Sequence, residues 1–377
     1  MMNHDTNEAV QIADDEFKPL LPIEMVEDIF SRLLVKFLLQ LQCMCKSWKS
    51  LISSPKFAKR HLSMTKAYEH HHHLMLTTTE SNNLVLWDSH ITSIFTTLSP
   101  SKPLVFPDIL NIHGSRVCSC HGILCFTIQD SYPVLWNPST RKHNVIPPVE
   151  NLFSQRPPDY PTKSRLRPKS IIQCNTYSFG HDTSTHKYKI VALSYIRNPC
   201  TPKVCIYTLG SDPTDSSWRL TNDFPGHGYI SEPGVSVSGT LNWKVSGGIV
   251  SLDLATESYQ QLLLPPPATG EGLVLTLGVL RDCLCLCASN KDMNEVDVWM
   301  MTESWNVLYN IPYIQDQRPH TKVLYVTEEE KLLMYYHDSL KLAVTDSGNV
   351  PDYMSELQHN SSTDPIVYVE SLISPWP

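Results

Sequence analysis

Apolar positions change their spacing once along the chain. Between Leu21 and Ile52 they recur every three or four residues. Met25, Val26, Ile29, Phe30 and Leu33 share one helical face, and Leu38, Leu41, Cys45, Trp48 and Ile52 share another. Pro22 stands where a first helical turn accepts proline, and Glu24, Glu27 and Asp28 suit the positive end of a helix dipole. Pro55 stops the run. Leu34, Val35, Phe37, Leu38 and Leu39 are nearly consecutive, so they cannot all enter one small core. Either the rest of the chain or a separate protein must cover the surplus, and periodicity leaves both open.

From residue 74 the pattern alternates, as strands do. Six runs look alike: "NLVLWDS", "PVLWNPS", "KVCIYTLG", "GIVSLDLAT", "VDVWMMTES" and "LKLAVTDS". Their central residues are Leu86, Leu135, Ile206, Leu252, Val298 and Leu342, at steps of 49, 71, 46, 46 and 44 residues. The long step holds a proline-rich polar insert, "PPVENLFSQRPPDYPTKSRLRPKS", which reads as a loop. A second strand precedes each run, as in "ILCFTIQ" and "CLCLCAS". A third strand, often ending at proline, follows most of them, as in "IFTTLSP", "YQQLLLPP" and "YVESLISP". Asp88, Asn137, Asp253 and Asp346 sit where a short polar side chain suits a turn. A leading strand such as "VSVSG" makes four strands per unit. This period predicts a propeller-like all-β domain of about six units. The first unit lacks a clear leading strand, so the closure of the ring is not fixed at this level.

Composition narrows the function. The net charge of −8 argues against general nucleic-acid binding. No window approaches the ~18 apolar residues of a membrane span. The first twenty residues are polar and acidic, with no export signal expected. Eleven cysteines then read as free thiols in a reducing compartment. "CSCH" (Cys118–His121) and "CLCLC" (Cys283–Cys287) have one-residue spacing. That spacing puts thiols on one face of a strand, as core residues, whereas zinc pairs use two to four intervening residues. No metal site is expected. His70–His73 reads as a solvated segment between two domains rather than a metal tract. The basic insert "RPPDYPTKSRLRPK" reads as a solvated loop, with an acidic-partner or phosphorylation site as the sharper alternative. No Gly-x-Ser-x-Gly, His-Glu-x-x-His or phosphate loop is present, so no catalytic residue and no cofactor are expected.

"LPIEMVEDIFSRL" followed by "VKFLLQLQCMCKSWKSLISSPKFAKRHL" resembles an F-box of the large plant families. The matching residues include Leu21, Pro22, Glu27, Ile29, Arg32, Leu33, Val35, Lys36, Leu38, Leu39, Cys43, Cys45, Lys46, Trp48, Pro55 and Phe57. "VLWNPSTRKH", "YSFGHDTSTHKYKIV", "VSGTLNW", "IVSLDLATESY" and "VYVESLISP" resemble the F-box-associated domain of the same families. Two positions depart from the pattern. Leu34 replaces a proline, which removes a helix-start signal and opens the way to fused helices. Phe37 replaces a small polar residue.

The resemblance implies an organisation. Residues 1–18 form a disordered tail, 19–63 the F-box, 64–73 a linker, and 74–377 the propeller-like domain. It also implies a function: the substrate-recognition subunit of a Skp-cullin-F-box ubiquitin ligase. The F-box would dock a Skp-type adaptor, and through it a cullin, by Leu21, Pro22, Ile23, Ile29, Leu33, Leu34, Val35, Leu38, Leu39, Cys43 and Trp48. The β domain would hold an unidentified target protein at unknown residues. Nucleic acid and membrane are not expected partners, and the nucleus or cytoplasm is the expected location. A binding or scaffold protein that uses the adaptor without degradation is the alternative.

Overall fold

In a computed structural model of the chain, the residues described are 21–80, 83–97, 102–104, 116–128, 132–149, 172–196, 202–210, 217–269, 273–290, 295–312, 321–336, 341–346, 353–356 and 365–376. The tail expected over 1–18 and the basic insert lie outside them.

Four helices open the described chain: α1 (Ile23–Phe30), α2 (Val35–Leu41), α3 (Lys46–Ile52) and α4 (Pro55–Thr65). The loss of proline at position 34 does not fuse α1 and α2. Leu34 takes φ −58° and ψ 144° as the N-cap of α2, a φ that proline would have imposed. Ser54 caps α4 by accepting from the Phe57 N–H, with Pro55 in its first turn. Val26, Phe30, Leu38, Ile52 and Phe57 form the core of this unit.

The rest is six four-stranded antiparallel sheets. In blades two to six the strands run outward in chain order. They are Cys118–Cys120 to Lys142–Val145, Ile172–His181 to Trp218–Leu220, Val235–Val237 to Tyr259–Leu262, Leu273–Leu280 to Trp305–Pro312, and Thr321–Val326 to Tyr353–Glu356. The six central residues of the repeat all lie in third strands, and all are buried. Each innermost strand touches the next, and the sixth touches the first, so the sheets form a closed six-bladed propeller.

Blade one differs from expectation twice. Its innermost strand is Ile366–Val369, which pairs antiparallel with His72–Met75. "YVESLISP" is therefore not an outer strand of the last unit: it closes the ring. The described part of "IFTTLSP", residues 94–97, is not a strand either. Ile91–Thr97 is a helix, α5, with Ile91 and Ile94 buried, and Lys102–Leu104 is the outer strand. Two turn residues behave as their chemistry dictates. Asn137 and Asp253 each accept from two following backbone N–H groups. Asp88 is bonded by His73 and Tyr368.

Candidate functional site

The helical unit has a satisfied core and a surplus outside it. Fourteen large apolar residues are exposed among those described, and six of them fall between positions 21 and 44: Leu21, Ile23, Met25, Ile29, Phe37 and Met44. No other segment of that length concentrates so many among the described residues. Of the residues expected to bind an adaptor, Leu21, Pro22, Ile23, Ile29 and Cys43 are exposed, and Leu33, Leu34, Leu39 and Trp48 are half-buried. Trp48 packs edge-on against Phe30 at 5.2 Å. Val35 and Leu38 must be corrected. Both are 0 % exposed and serve the inside of the molecule, so neither offers a side chain to a partner. The exposed residues Met25, Phe37 and Met44 were missed. Their signal was that α1 and α2 are apolar on more faces than a four-helix core can cover.

The histidine tract joins the helices to the propeller. It is not a solvated linker: His71 and His73 are buried, and the second strand of blade one already starts at His72. His71 Nδ1 donates to Glu370 Oε1 at 2.9 Å, and the other oxygen of Glu370 accepts from the Val35 N–H at 3.1 Å. His73 Nδ1 donates to Asp88 at 3.1 Å, and the Tyr368 hydroxyl donates to the same carboxylate at 2.9 Å. His61 Nε2 bonds the Leu33 carbonyl at 2.8 Å. Burial lowers the pKa of His61, and it brings His72 down to about 4. Ala58 and Leu62 of α4 enter the core of blades two and three. Lys66 pairs with Asp282, and Glu69 accepts from the Glu328 N–H, both at turns between first and second strands. The helices therefore sit at the end of the propeller where those turns lie.

A cavity of about 700 Å³ opens at that end of the central channel. All six innermost strands line it, with Lys66, Glu69 and His72 at its rim. Inside, His121 bonds Tyr188 at 3.1 Å, and burial brings its pKa down to about 3. The charged rim groups are spent on one another: Lys66 on Asp282, Arg281 on Glu330. Among the described residues no three His, Cys, Asp or Glu side chains are grouped to hold a metal ion. Cys285 and Cys287 pack in one hydrophobic cluster, and Cys120 lies in another with Cys118 partly buried against it, as one-residue spacing in a strand predicts. Cys43, Cys45, Cys118, Cys120, Cys125, Cys205, Cys283, Cys285 and Cys287 are free. No helix among the described residues is long and apolar enough to cross a membrane.

Comparison with known proteins agrees with this division. Residues 70–375 match the model of the F-box associated beta propeller domain, and residues 19–60 match that of the F-box domain. The F-box/kelch-repeat protein At3g23880 of Arabidopsis thaliana is 29% identical, over 94% of this chain and 96% of that protein. The F-box/WD-40 repeat-containing protein 1 of the same plant is 24% identical, over 85% and 74%. Among solved structures, Hsv2p of Kluyveromyces lactis aligns over 72% of this chain and 70% of its own, at 13% identity and a TM-score of 0.39.

Proposed function

Because the chain belongs to the family of F-box proteins with an F-box associated β-propeller domain, we propose that it is the target-binding subunit of a Skp-cullin-F-box ubiquitin ligase. One observation carries the reading: six exposed large apolar residues between positions 21 and 44, on a helical unit that has its own buried core. In this proposal Leu21, Pro22, Ile23, Met25, Ile29, Phe37, Cys43 and Met44 meet a Skp-type adaptor, with the accessible edges of Leu33, Leu34, Leu39 and Trp48. Phe37, the departure from the family pattern, adds apolar contact there.

The target belongs at the other end of the propeller, because the helices occupy the end with the first-to-second-strand turns. At the far end, the connection between blades three and four presents Tyr229, and the connection after Leu262 presents Leu263, both exposed. The mechanism is proximity. A target held on the propeller faces a ubiquitin-charged enzyme brought by the cullin, so its lysines react at high effective concentration. This chain supplies no reacting group in that scheme. The proposal places the protein in the nucleus or cytoplasm.

The test is the double variant Phe37→Asp/Met44→Asp. Position 37 is in the first turn of α2, where an acidic side chain favours the helix. The fold is kept, while charge enters an apolar interface. Pull-down of the adaptor should be lost, and proteins captured by the propeller should live longer in cells. Adaptor binding at wild-type strength would refute the proposed face. Loss of adaptor without any change in target lifetime would favour a non-degradative scaffold.

A further inference from the structure

The last strand and the residues after it have two roles. Ile366–Val369 completes blade one and so closes the ring. The next residue, Glu370, reaches out of the propeller into the F-box. Its carboxylate joins His71 Nδ1 to the backbone N–H of Val35, and its own N–H donates to the His71 carbonyl at 2.9 Å. Leu372 then packs against both the F-box core and the core of blades two and three. Asn137 Nδ2 fixes this segment by donating to the carbonyls of Ser371 and Ile373, at 3.0 and 2.8 Å.

These contacts differ in kind from the others at the junction. Lys66–Asp282 is exposed, and such a pair holds little. Ala58 and Leu62 give non-directional apolar contact. The Glu370 carboxylate is buried, and its position is defined by two directional bonds, one to the Val35 N–H of the F-box and one to His71 in the segment that joins the F-box to the propeller. Moving the F-box would take the Val35 N–H away from one oxygen of that buried carboxylate, which is unfavourable.

We propose that Glu370 is a positioning residue that locks the F-box onto the propeller and makes the lock conditional on ring closure. A chain whose last strand has not inserted cannot deliver Glu370 to Val35 and His71. Its F-box is then free to swing. The consequence for function, a fixed span between bound adaptor and bound target, rests on the receptor reading above, whereas the lock itself does not.

The test measures orientation directly. Noncanonical residues at Ser50 and Thr256, both exposed, carry a donor and acceptor dye on the full-length chain, and single-molecule energy transfer reports their distance. Wild type should give one narrow population. Glu370→Ala should give a broad one. Glu370→Gln keeps an oxygen for the Val35 N–H and an amide N–H that reaches His71 Nδ1 when the ring proton is on Nε2, so it should restore the narrow population. Truncation after Val369 keeps the closing strand and removes the lock, so it should broaden like Glu370→Ala. A narrow population in Glu370→Ala or in the truncation overturns the proposal, as does a Glu370→Gln protein as broad as Glu370→Ala. Should Glu370→Ala fail to fold, His71→Ala takes its place, and a narrow population there is equally fatal. Adaptor pull-down runs in parallel. Its failure in wild type sinks the receptor reading and leaves the distance result standing.

Discussion

Phe37 and Leu38 are adjacent and have opposite environments. Phe37 is 47% exposed on α2, and Leu38 is fully buried. Leu38→Ala should cost ~2–5 kcal/mol, the range for a buried leucine, and Phe37→Ala within ~0.5 kcal/mol. Denaturant melts of the two variants read this directly, and equal losses would show that α2 is oriented differently. A second contrast is electrostatic. His72 and His121 are held neutral by burial, at about 4 and about 3 against an ordinary 6.5. Their folded values are depressed, and they are bases, so below 6.5 the unfolded chain binds the protons that the folded chain refuses. Stability is full above 6.5 and falls as pH drops toward 4. For His121 alone the loss at pH 5 is about 2 kcal/mol. His121 has φ +53°, which asparagine tolerates well. His121→Asn should therefore flatten the decline of melting temperature between pH 6.5 and 5. An unchanged slope would mean that His121 titrates normally.

At the scale of elements, turns and strand ends decide whether blades meet. Gly122 lies at φ +77°, and a Cβ there would press on the Val369 carbonyl oxygen of the closing strand. Gly247 has φ +84° with nothing within 4 Å. Alanine at Gly247 meets only backbone strain of roughly 1–2 kcal/mol. Alanine at Gly122 adds a clash with backbone at the ring closure, so it should lose clearly more. Thermal melts of the two variants compare them, and equal losses would deny a tight closure at Gly122. The element that sequence periodicity misjudged is α5. "IFTTLSP" has β-branched and aromatic residues in alternation, but Ile91, Ile94 and Phe95 also fit helical spacing. They pack with Leu74, Leu333 and Tyr335, and that tertiary contact decided between the two.

For the whole molecule, closure and F-box docking share the same last residues. Deleting 366–377 removes an inner strand, opens a sheet edge and strips Glu370 from the junction. The product should aggregate, and protease should cut the F-box as well as the propeller. A truncated chain that stays soluble and resistant would mean that the ring does not need this strand. The same contacts imply that the two domains are not independent. Lesions at Ser371 or Asn137, inside the propeller, should lower protection of α2 amides from hydrogen exchange. The two-unit picture drawn from linear spacing predicts no such effect.

What the sequence determined by itself was whatever repeats or is local. The period placed six buried residues, Leu86 to Leu342, in six third strands, because each blade buries the same strand by the same alternation. The F-box pattern was local too, since helical spacing over forty residues is set by near neighbours. Tertiary structure alone decided what joins distant positions. Val35 is 335 residues from Glu370, and His71 is 299 residues from it. No spacing rule reports such a pairing, so Val35 reads as a binding residue from the resemblance and the histidines as solvated. Once the ring closes, the last strand arrives beside the first, and the carboxylate after it finds buried donors with no water to replace it. That geometry turned the apparent linker into a joint.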